Sequence, residues 1–562
     1  MSHLDTQSIA QLLRELGQRS ALRGDNPYRA KAYARAADSL AALAVPLDRI
    51  IAEGRLEEIP GIGKAIADIV TRLHLTGTHP SLEAMRKEIP AGVLELMSVP
   101  GLRPEKVLKL YETLGITSLL ELEKAAREDR IRHVKGLGPA LQAKILENLD
   151  LGRSDAGRRH MHRAAALLEA ARHNLQAAHP ELERVTIAGD LRRGCELVAD
   201  LSLVAEAPGL ADGPTMLSSV GEVKVNLADR SHYGTTLLLA TGSKKHIDEL
   251  GALARHKGFS LDRQGLSRGS TVIAGRTEEG IYKALGLAFI EPELREGGNE
   301  IERAMKGDLP RLVTDRDLRG ILHAHTDLSD GVDTLETMAQ ATQERSYQYF
   351  GVADHSKSAH YAGGLSVEEI ERQHHAIDLL NKTYGKDFRI LKGIESDILV
   401  DGSLDYPDEV LAQFDFVVAS VHGRFKLDPE TQTERILRAV ANPYTTILGH
   451  MTGRQLLRRP GYKVDIEKIL AACARHGVAV EVNAHPWRLD LDWRWHQRAL
   501  ELGCLMSINP DAHSIRELDL THWGVEMARK GGVPAARVLN CLSLQQITQY
   551  LRKRKRAHAH AA

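Results

Sequence analysis

Through about residue 150, apolar positions recur at three- and four-residue intervals in stretches rich in alanine and leucine, the period of helices that bury one face. That pattern breaks three times in a similar way, a loose internal repeat: I-P-G-I-G-K-A-I-A (Ile59 to Ala67), V-P-G-L-R-P-E-K-V (Val99 to Val107) and V-K-G-L-G-P-A-L-Q (Val134 to Gln142). A helical connector follows over about Asp155 to Ala178. Short β-like runs then appear in R-V-T-I-A-G, L-V-A-D-L-S-L-V-A and G-E-V-K-V-N-L-A, which predicts an α+β segment. A polar stretch from Leu294 to Asp317, with Gly297, Gly298 and Pro310, reads as a linker carrying a helix. Beyond it, seven apolar runs from G-I-L-H-A-H to C-L-M-S-I-N-P-D-A-H alternate with amphipathic stretches such as Leu335 to Arg345 and Val367 to Tyr384. This alternation predicts a parallel α/β barrel.

Composition narrows the class without naming a chemistry. The chain has 562 residues, 43% hydrophobic and 27% charged, enough for several separate cores. No apolar run is long enough to span a bilayer, and the N-terminus lacks the succession of a secretory signal. Four scattered cysteines (Cys195, Cys473, Cys504, Cys541) have neither metal nor disulfide spacing, so a reducing cytoplasm is the expected compartment. A net charge of -1 offers nucleic acid no global attraction, so any DNA binding has to come from local geometry. The closing basic run, Arg552 to Arg556, reads as a solvated tail.

The chemistry lies at the ends of the strand-like runs. Six of the seven end in metal-ligating residues: His323 and His325, then His355, Glu395, His422, His450, and finally Asp511 and His513, while the sixth ends at His485. Asp330, in the loop just after the first run, can lean over the same mouth. In a (β/α) barrel all strand ends open on one face, and alternate residues in H-A-H and D-A-H point to one side of their strand. A lone histidine is ordinarily a core or surface residue; imidazoles and carboxylates at the same end of nearly every strand are a metal site. Nitrogen and oxygen ligands without thiolate suit two or three divalent ions, manganese first, with zinc or iron as alternatives. Such ions generate hydroxide near neutral pH and stabilise the departing oxygen of a phosphoester. Arg424, Arg454 and Arg488 follow strand ends as candidate phosphate clamps, and His485 and Asn509 are candidate supports for the ligands.

At these residues the chain resembles the polymerase-and-histidinol-phosphatase (PHP) family, whose motifs H-x-H-T-x-x-S-D, D-H, E, H, G-H and D-A-H all stand between about Arg319 and Leu551. The resemblance implies a distorted seven-stranded barrel with a trinuclear centre.

The N-terminal repeats have helix-hairpin-helix form, in which glycine turns at Gly61 and Gly63, Gly101, and Gly136 and Gly138 offer backbone amides to a DNA phosphate. In the middle, A-G-D-L-R-R-G-C-E (Ala188 to Glu196), V-A-D-L-S, V-N-L, T-G-S-K-K-H (Thr241 to His246) and E-P-E-L-R-E (Glu291 to Glu296) resemble the palm and thumb of family X DNA polymerases. The whole chain therefore resembles a bacterial family X polymerase fused to a PHP domain. This implies a helical DNA-binding domain over residues 1–80, a fingers-like helical domain over 81–154, palm and thumb over 155–295, a linker over 296–318, the PHP domain over 319–551 and a basic tail over 552–562.

The departures from that family define a degenerate polymerase site: Asp190, Arg193, Asp200, Ser202 and Asn226. Of three metal-holding carboxylates only Asp200 stands; Ser202 and Asn226 replace the others, and Asp190 replaces a serine that would donate to the triphosphate. Asp229 has the wrong offset from Asn226 to substitute, and Ile69 stands where the family's lyase lysine would be, with Lys64 one turn early. The expectation is a monomeric, cytoplasmic, nucleoid-associated DNA-repair enzyme. Its PHP site would hydrolyse phosphodiesters as a 3'-5' exonuclease, with abasic-site cleavage as a further activity, on gapped, nicked or damaged DNA. The alternatives are a gap-filling polymerase with PHP proofreading, a phosphatase of histidinol-phosphate type and a non-catalytic DNA scaffold.

Overall fold

The described residues of the three breaks share the same local elements. Each begins in a turn of 3-10 helix, at Leu56–Glu58, Leu96–Ser98 and Ile131–His133. Each then closes with the same backbone bond: Ile62 N to Ile59 O at 3.0 Å, Leu102 N to Val99 O at 3.1 Å and Leu137 N to Val134 O at 3.0 Å. Leu56, Ile59 and Ile62 are buried, as are Leu96, Val99 and Leu102, and Ile131, Val134 and Leu137, so apolar residues three apart pin every hairpin to its core. Gly61 and Gly136 take left-handed backbone, at φ +86° and +88°, where a side chain would be strained. Gly63 caps the helix Lys64–Thr76 and has no side chain with which to bond its first turn. Ile69 is buried.

The computed structural model describes residues 4, 6–24, 27–41, 47–59, 61–99, 102–154, 157–208, 215–220 and 222–559; Gly101 lies outside them. The chain divides into the units Met1–Ala156 and Gly157–Ala562. The first buries one apolar cluster around Ile9, Leu13, Leu40 and Leu73 and another around Val93, Val107, Leu110 and Leu122.

In the second unit the helix Met161–Ala178 covers a four-stranded sheet in the order Arg184–Ala188, Leu201–Glu206, Val223–Ala228, Thr215–Val220, whose central pair is parallel. Three helices, Tyr233–Thr241, Lys244–His256 and Glu278–Ala284, and a small antiparallel sheet follow. Arg192 forks onto Glu278 at 2.9 and 2.6 Å, and the fully buried Arg295 also pairs with Glu278.

The stretch read as a linker carries its helix, Glu300–Lys306, but is not a free tether. Glu300 and Ala304 are buried, and Val313 N bonds Val533 O at 3.0 Å, so the segment is anchored at its helix and again at Val313. Among the described residues, no helix is long and apolar enough to cross a membrane.

The seven apolar runs become seven parallel strands: β1 (Gly320–Ile321), β2 (Tyr349–Val352), β3 (Arg389–Asp397), β4 (Phe416–Ser420), β5 (Ile447–Leu448), β6 (Ala479–Asn483) and β7 (Met506–Asn509). They stand side by side in chain order, and a parallel bridge between Ala324 and Ala512 joins the first to the last. The second unit thus combines a parallel α/β barrel with an α+β segment, and the first unit is helical. The tail is a correction to the sequence reading. Helix Leu544–Ala559 runs through most of it, Ile547 and Leu551 are buried, Arg554 donates to Thr445 O at 2.5 Å, and Lys555 donates to Ala412 O at 3.2 Å. Both carbonyls precede strands, so these cations tie the helix to the barrel end opposite the metal-ligand side.

Candidate metal centre

The first ligand pair is held by backbone and by a buried carboxylate. His325 N bonds Ala512 O at 2.8 Å, while Asp354 accepts from Thr326 N and Thr326 Oγ1, both at 2.7 Å, and from Ser329 Oγ at 2.6 Å. These bonds fold the loop after β1 over the barrel mouth and bring Asp330 within 3.3 Å of His513 Nε2 and 3.5 Å of His355 Nε2. The turn needs Gly331, since a Cβ there would stand 2.8 Å from the Thr326 backbone. Gly449 has the same role before His450, where a Cβ would meet Ser420 Oγ at 2.3 Å. Asp511 takes left-handed backbone, φ 53°, which aspartate tolerates better than most residues, and turns its carboxylate between His323 and His325.

All nine sequence-derived ligands meet at this mouth. Glu395 is their centre: Oε1 lies 3.4, 3.3 and 3.0 Å from Nε2 of His323, His422 and His450, and Oε2 lies 2.9 Å from His355 Nδ1. Ligating atoms cluster in three groups: His325, Asp330, His355 and His513; His323, His325 and Asp511; and His355, Glu395 and His422. Three groups sharing members are what bridged ions need. Buried polar atoms are normally paired, yet among the described residues His323 Nε2, His325 Nδ1, His355 Nδ1 and Glu395 Oε2 make no well-directed hydrogen bond, even though the last two lie 2.9 Å apart. The donor set and these orphaned atoms fit divalent ions.

Burial works against a charged imidazole, but neighbouring carboxylates prevail at four of the histidines, including His323, which Glu481, Glu395 and Asp511 hold well above the ordinary range. Glu395 and Asp330 hold His355 up to about 10, Glu395 and Asp397 hold His422 up to about 9, and Asp330 and Asp511 hold His513 up to about 9. His325 goes the other way, pushed down to about 3 by burial and by His355 and His513. Without metal, protons neutralise this cluster, and metal binding has to displace them.

Several supporting residues were not among the sequence candidates. Glu481, in the middle of β6 and fully buried, accepts from His323 Nδ1 at 2.7 Å, His450 N at 2.8 Å, Asn509 Nδ2 at 3.0 Å and Asn483 Nδ2 at 3.3 Å. Asp397 holds His422 Nδ1 by a short bond. Asn509 supports the ligands through Glu481, as expected, whereas the described bonds of His485 are local, to Asn483 and Trp487.

The three arginines separate. Arg488 Nε stands 3.7 Å from Asp511 Oδ2, at the mouth. Arg424 is exposed beyond His422. Arg454 is a correction to the clamp reading: its guanidinium donates to Arg488 O at 2.9 Å, Asp492 Oδ2 at 2.7 Å and Leu489 O, so it braces the 485–492 loop.

The palm site is filled by its own side chains. Asp190 accepts from the amides of Ala199 and Asp200 at 2.9 and 2.8 Å and pairs with Arg193, which also binds Glu296 at 3.0 Å and Thr241 O at 2.6 Å. Asp200 accepts from Ser202 Oγ at 2.8 Å and from Lys224 Nζ at 3.1 Å. Asn226 donates to Leu203 O at 3.3 Å, and Asp229 caps Ser231 and His232. A lysine ammonium thus stands against the one remaining carboxylate. The barrel packs on this segment: Lys530 Nζ donates to Arg193 O at 2.9 Å and Glu296 Oε1 at 2.5 Å, and Trp493 Nε1 donates to Glu196 at 3.0 Å.

Comparison with known proteins agrees segment by segment. Residues 5–79 match a helix-hairpin-helix domain, 93–150 a SAM-like helix-hairpin-helix tandem, 236–296 the DNA polymerase beta thumb and 322–485 the PHP domain. The DNA polymerase/3'-5' exonuclease PolX of Bacillus subtilis (strain 168) is 33% identical, over 97% of this chain and 99% of its own length. Probable phosphatases of Thermoanaerobacter sp. (strain X514) and Vibrio campbellii (strain ATCC BAA-1116) are 29% and 27% identical, over 42% of this chain and 94% and 92% of their own lengths.

Proposed function

Because the chain belongs to the family X DNA polymerases that carry a C-terminal PHP domain, we propose that it is a metal-dependent DNA nuclease whose palm no longer synthesises DNA. It removes nucleotides from the 3' end of gapped, nicked or damaged DNA, with abasic-site cleavage as a second use of the same centre. The observation that carries this reading is the gathering of nine candidate ligand side chains at the barrel mouth, Glu395 at their centre, with buried atoms left without hydrogen bonds. Bound divalent ions, manganese first to be tested and then zinc and iron, supply Lewis acidity and positive charge for phosphodiester hydrolysis. The chain's own part is to hold the ligands through Glu481, Asp354 and Asp397, to offer Arg488 to the phosphate, and to hold DNA with the hairpin amides.

The relative's name also includes a polymerase. Asp190, Lys224, Ser202 and Asn226 argue against that activity here, since nucleotidyl transfer rests on charge neutralisation by two metals. A small-molecule phosphatase would account for only the barrel. End-labelled gapped DNA with Mn²⁺, with and without deoxynucleotides, tests the reading. The primer should shorten under both conditions, and a protein with His323→Ala and His325→Ala should lose both metal and hydrolysis. Full metal content in that double variant, or lengthening of the primer, would overturn it.

A further inference from the structure

The loops that carry Asp330 and His355 also expose apolar side chains. Among the described residues of the barrel region, five large apolar side chains are exposed: Leu328 at 43%, Val332 at 74%, Tyr361 at 73%, Leu379 and Val400. Four of these five lie on loops that follow strands, and three lie on the two ligand-bearing loops. Isolated exposed apolar residues are ordinary on a surface, but their concentration beside a catalytic mouth is not.

The three belong to one rim. The loops touch where a Cβ on Gly363 would stand 3.3 Å from Ser329 O, and Val332 N bonds His513 O at 2.8 Å. The Tyr361 ring lies 6.3 Å from the His355 ring, centroid to centroid. Its hydroxyl makes no hydrogen bond among the described residues, so no internal bond accounts for its position. At the same mouth, Arg488 supplies a cation.

We propose that Tyr361, on a loop that touches the one carrying Leu328 and Val332, is a stacking platform for the last nucleobase of a single-stranded DNA end whose phosphodiester enters the metal centre. The proposal deepens, and rests on, the nuclease reading of that centre. An aromatic face recognises any base, which suits an exonuclease that must accept each nucleotide in turn. It also separates a polynucleotide end from a small phosphate ester, which has no base to stack.

The test uses the full-length protein and two oligonucleotides, one ending in an ordinary nucleotide and one in an abasic residue. Tyr361→Ala should raise KM on the first roughly tenfold and leave the second unchanged, while Tyr361→Phe should behave as the wild type. A 2-aminopurine placed at the end, behind a hydrolysis-resistant phosphorothioate, reports stacking without turnover. Its fluorescence should be quenched by the wild type and by Tyr361→Phe but not by Tyr361→Ala. Equal quenching by Tyr361→Ala, or equal loss on both oligonucleotides, would overturn the platform. If the wild type shortens neither oligonucleotide, the nuclease reading falls, and the quenching comparison still decides the stacking.

Discussion

Replacing Glu481 by Gln changes one buried atom and should disable the metal centre from behind. Each carboxylate oxygen serves two donors: Oε1 takes His323 Nδ1 at 2.7 Å and Asn509 Nδ2 at 3.0 Å, and Oε2 takes His450 N at 2.8 Å and Asn483 Nδ2 at 3.3 Å. A glutamine has one oxygen and one NH₂, so one pair of donors meets another donor. If the NH₂ faces His450, a backbone N–H that cannot reorient is left buried and unpaired, at a cost of about 1–3 kcal/mol. If it faces His323, that ring can pair only by shifting its proton to Nε2, the atom aimed at Glu395 and Asp511. Either outcome weakens Mn²⁺ binding by roughly 10- to 100-fold, the range typical when an outer partner of a metal ligand is removed. Half-saturation of exonuclease activity by Mn²⁺ on end-labelled DNA measures this, with bound metal counted by mass spectrometry and folding checked by circular dichroism. Half-saturation and metal content within about twofold of wild type would show that Glu481 does not orient His323, and the reasoning would fail.

Four further outcomes are expected. The metal-free protein should lose thermal stability as pH rises. His355, His422 and His513 titrate at about 10, 9 and 9 when folded, above the free imidazole value near 6.5. Their protonation therefore stabilises the fold fully below about pH 6.5, and this is lost as pH passes through 9 to 10. Melting with chelator between pH 7 and 10 checks the sign, and a rising midpoint there would contradict it; the manganese-loaded protein should not share the fall, because metal replaces those protons. Asp190→Ser should destabilise the second unit by about 1–3 kcal/mol in denaturant melts, since two backbone amides lose their acceptor. The wild-type palm, assayed with the PHP ligands mutated, should not extend a primer, and templated extension would refute the loss of synthesis. Deleting residues 1–156 should weaken binding to gapped DNA at moderate salt while sparing hydrolysis of a small phosphodiester, so equal affinities would remove the hairpins from DNA binding.

The convergence of the nine candidate ligands was legible because each falls at or just beyond the end of an apolar run, where barrel topology makes distant residues neighbours. Glu481 was not, because it sits inside a run whose ends drew attention. The available signal was physical: a carboxylate in the middle of a buried strand has to be paired. Asp354 was passed over for the histidine beside it, and Asp397 for Glu395 two residues earlier, although both shape the site. The arginines show the opposite limit. Position after a strand end cannot tell Arg488, at the mouth, from Arg454, whose donors are taken by the loop it braces. The basic run was read as a tail because charge patterning does not reveal carbonyls waiting at the far end of a barrel. In the palm, the lost carboxylates were visible, but the lysine against Asp200 was not, since it depends on the register that sets Ser202 beside Lys224.

The bridge between Ala324 and Ala512 closes the barrel with the first and last strands, so His325 and Asp511, 186 residues apart in the chain, share one candidate ion site. During synthesis the ribosome releases His323 and His325 long before their partners exist. A nascent chain stalled ahead of β7 holds an incomplete centre open to water, and any ion it gathers lacks the carboxylate of Asp511. On the proposed reading, hydrolysis therefore waits until translation of the barrel is essentially finished, and a truncated product carries the helical hairpins with an incomplete site.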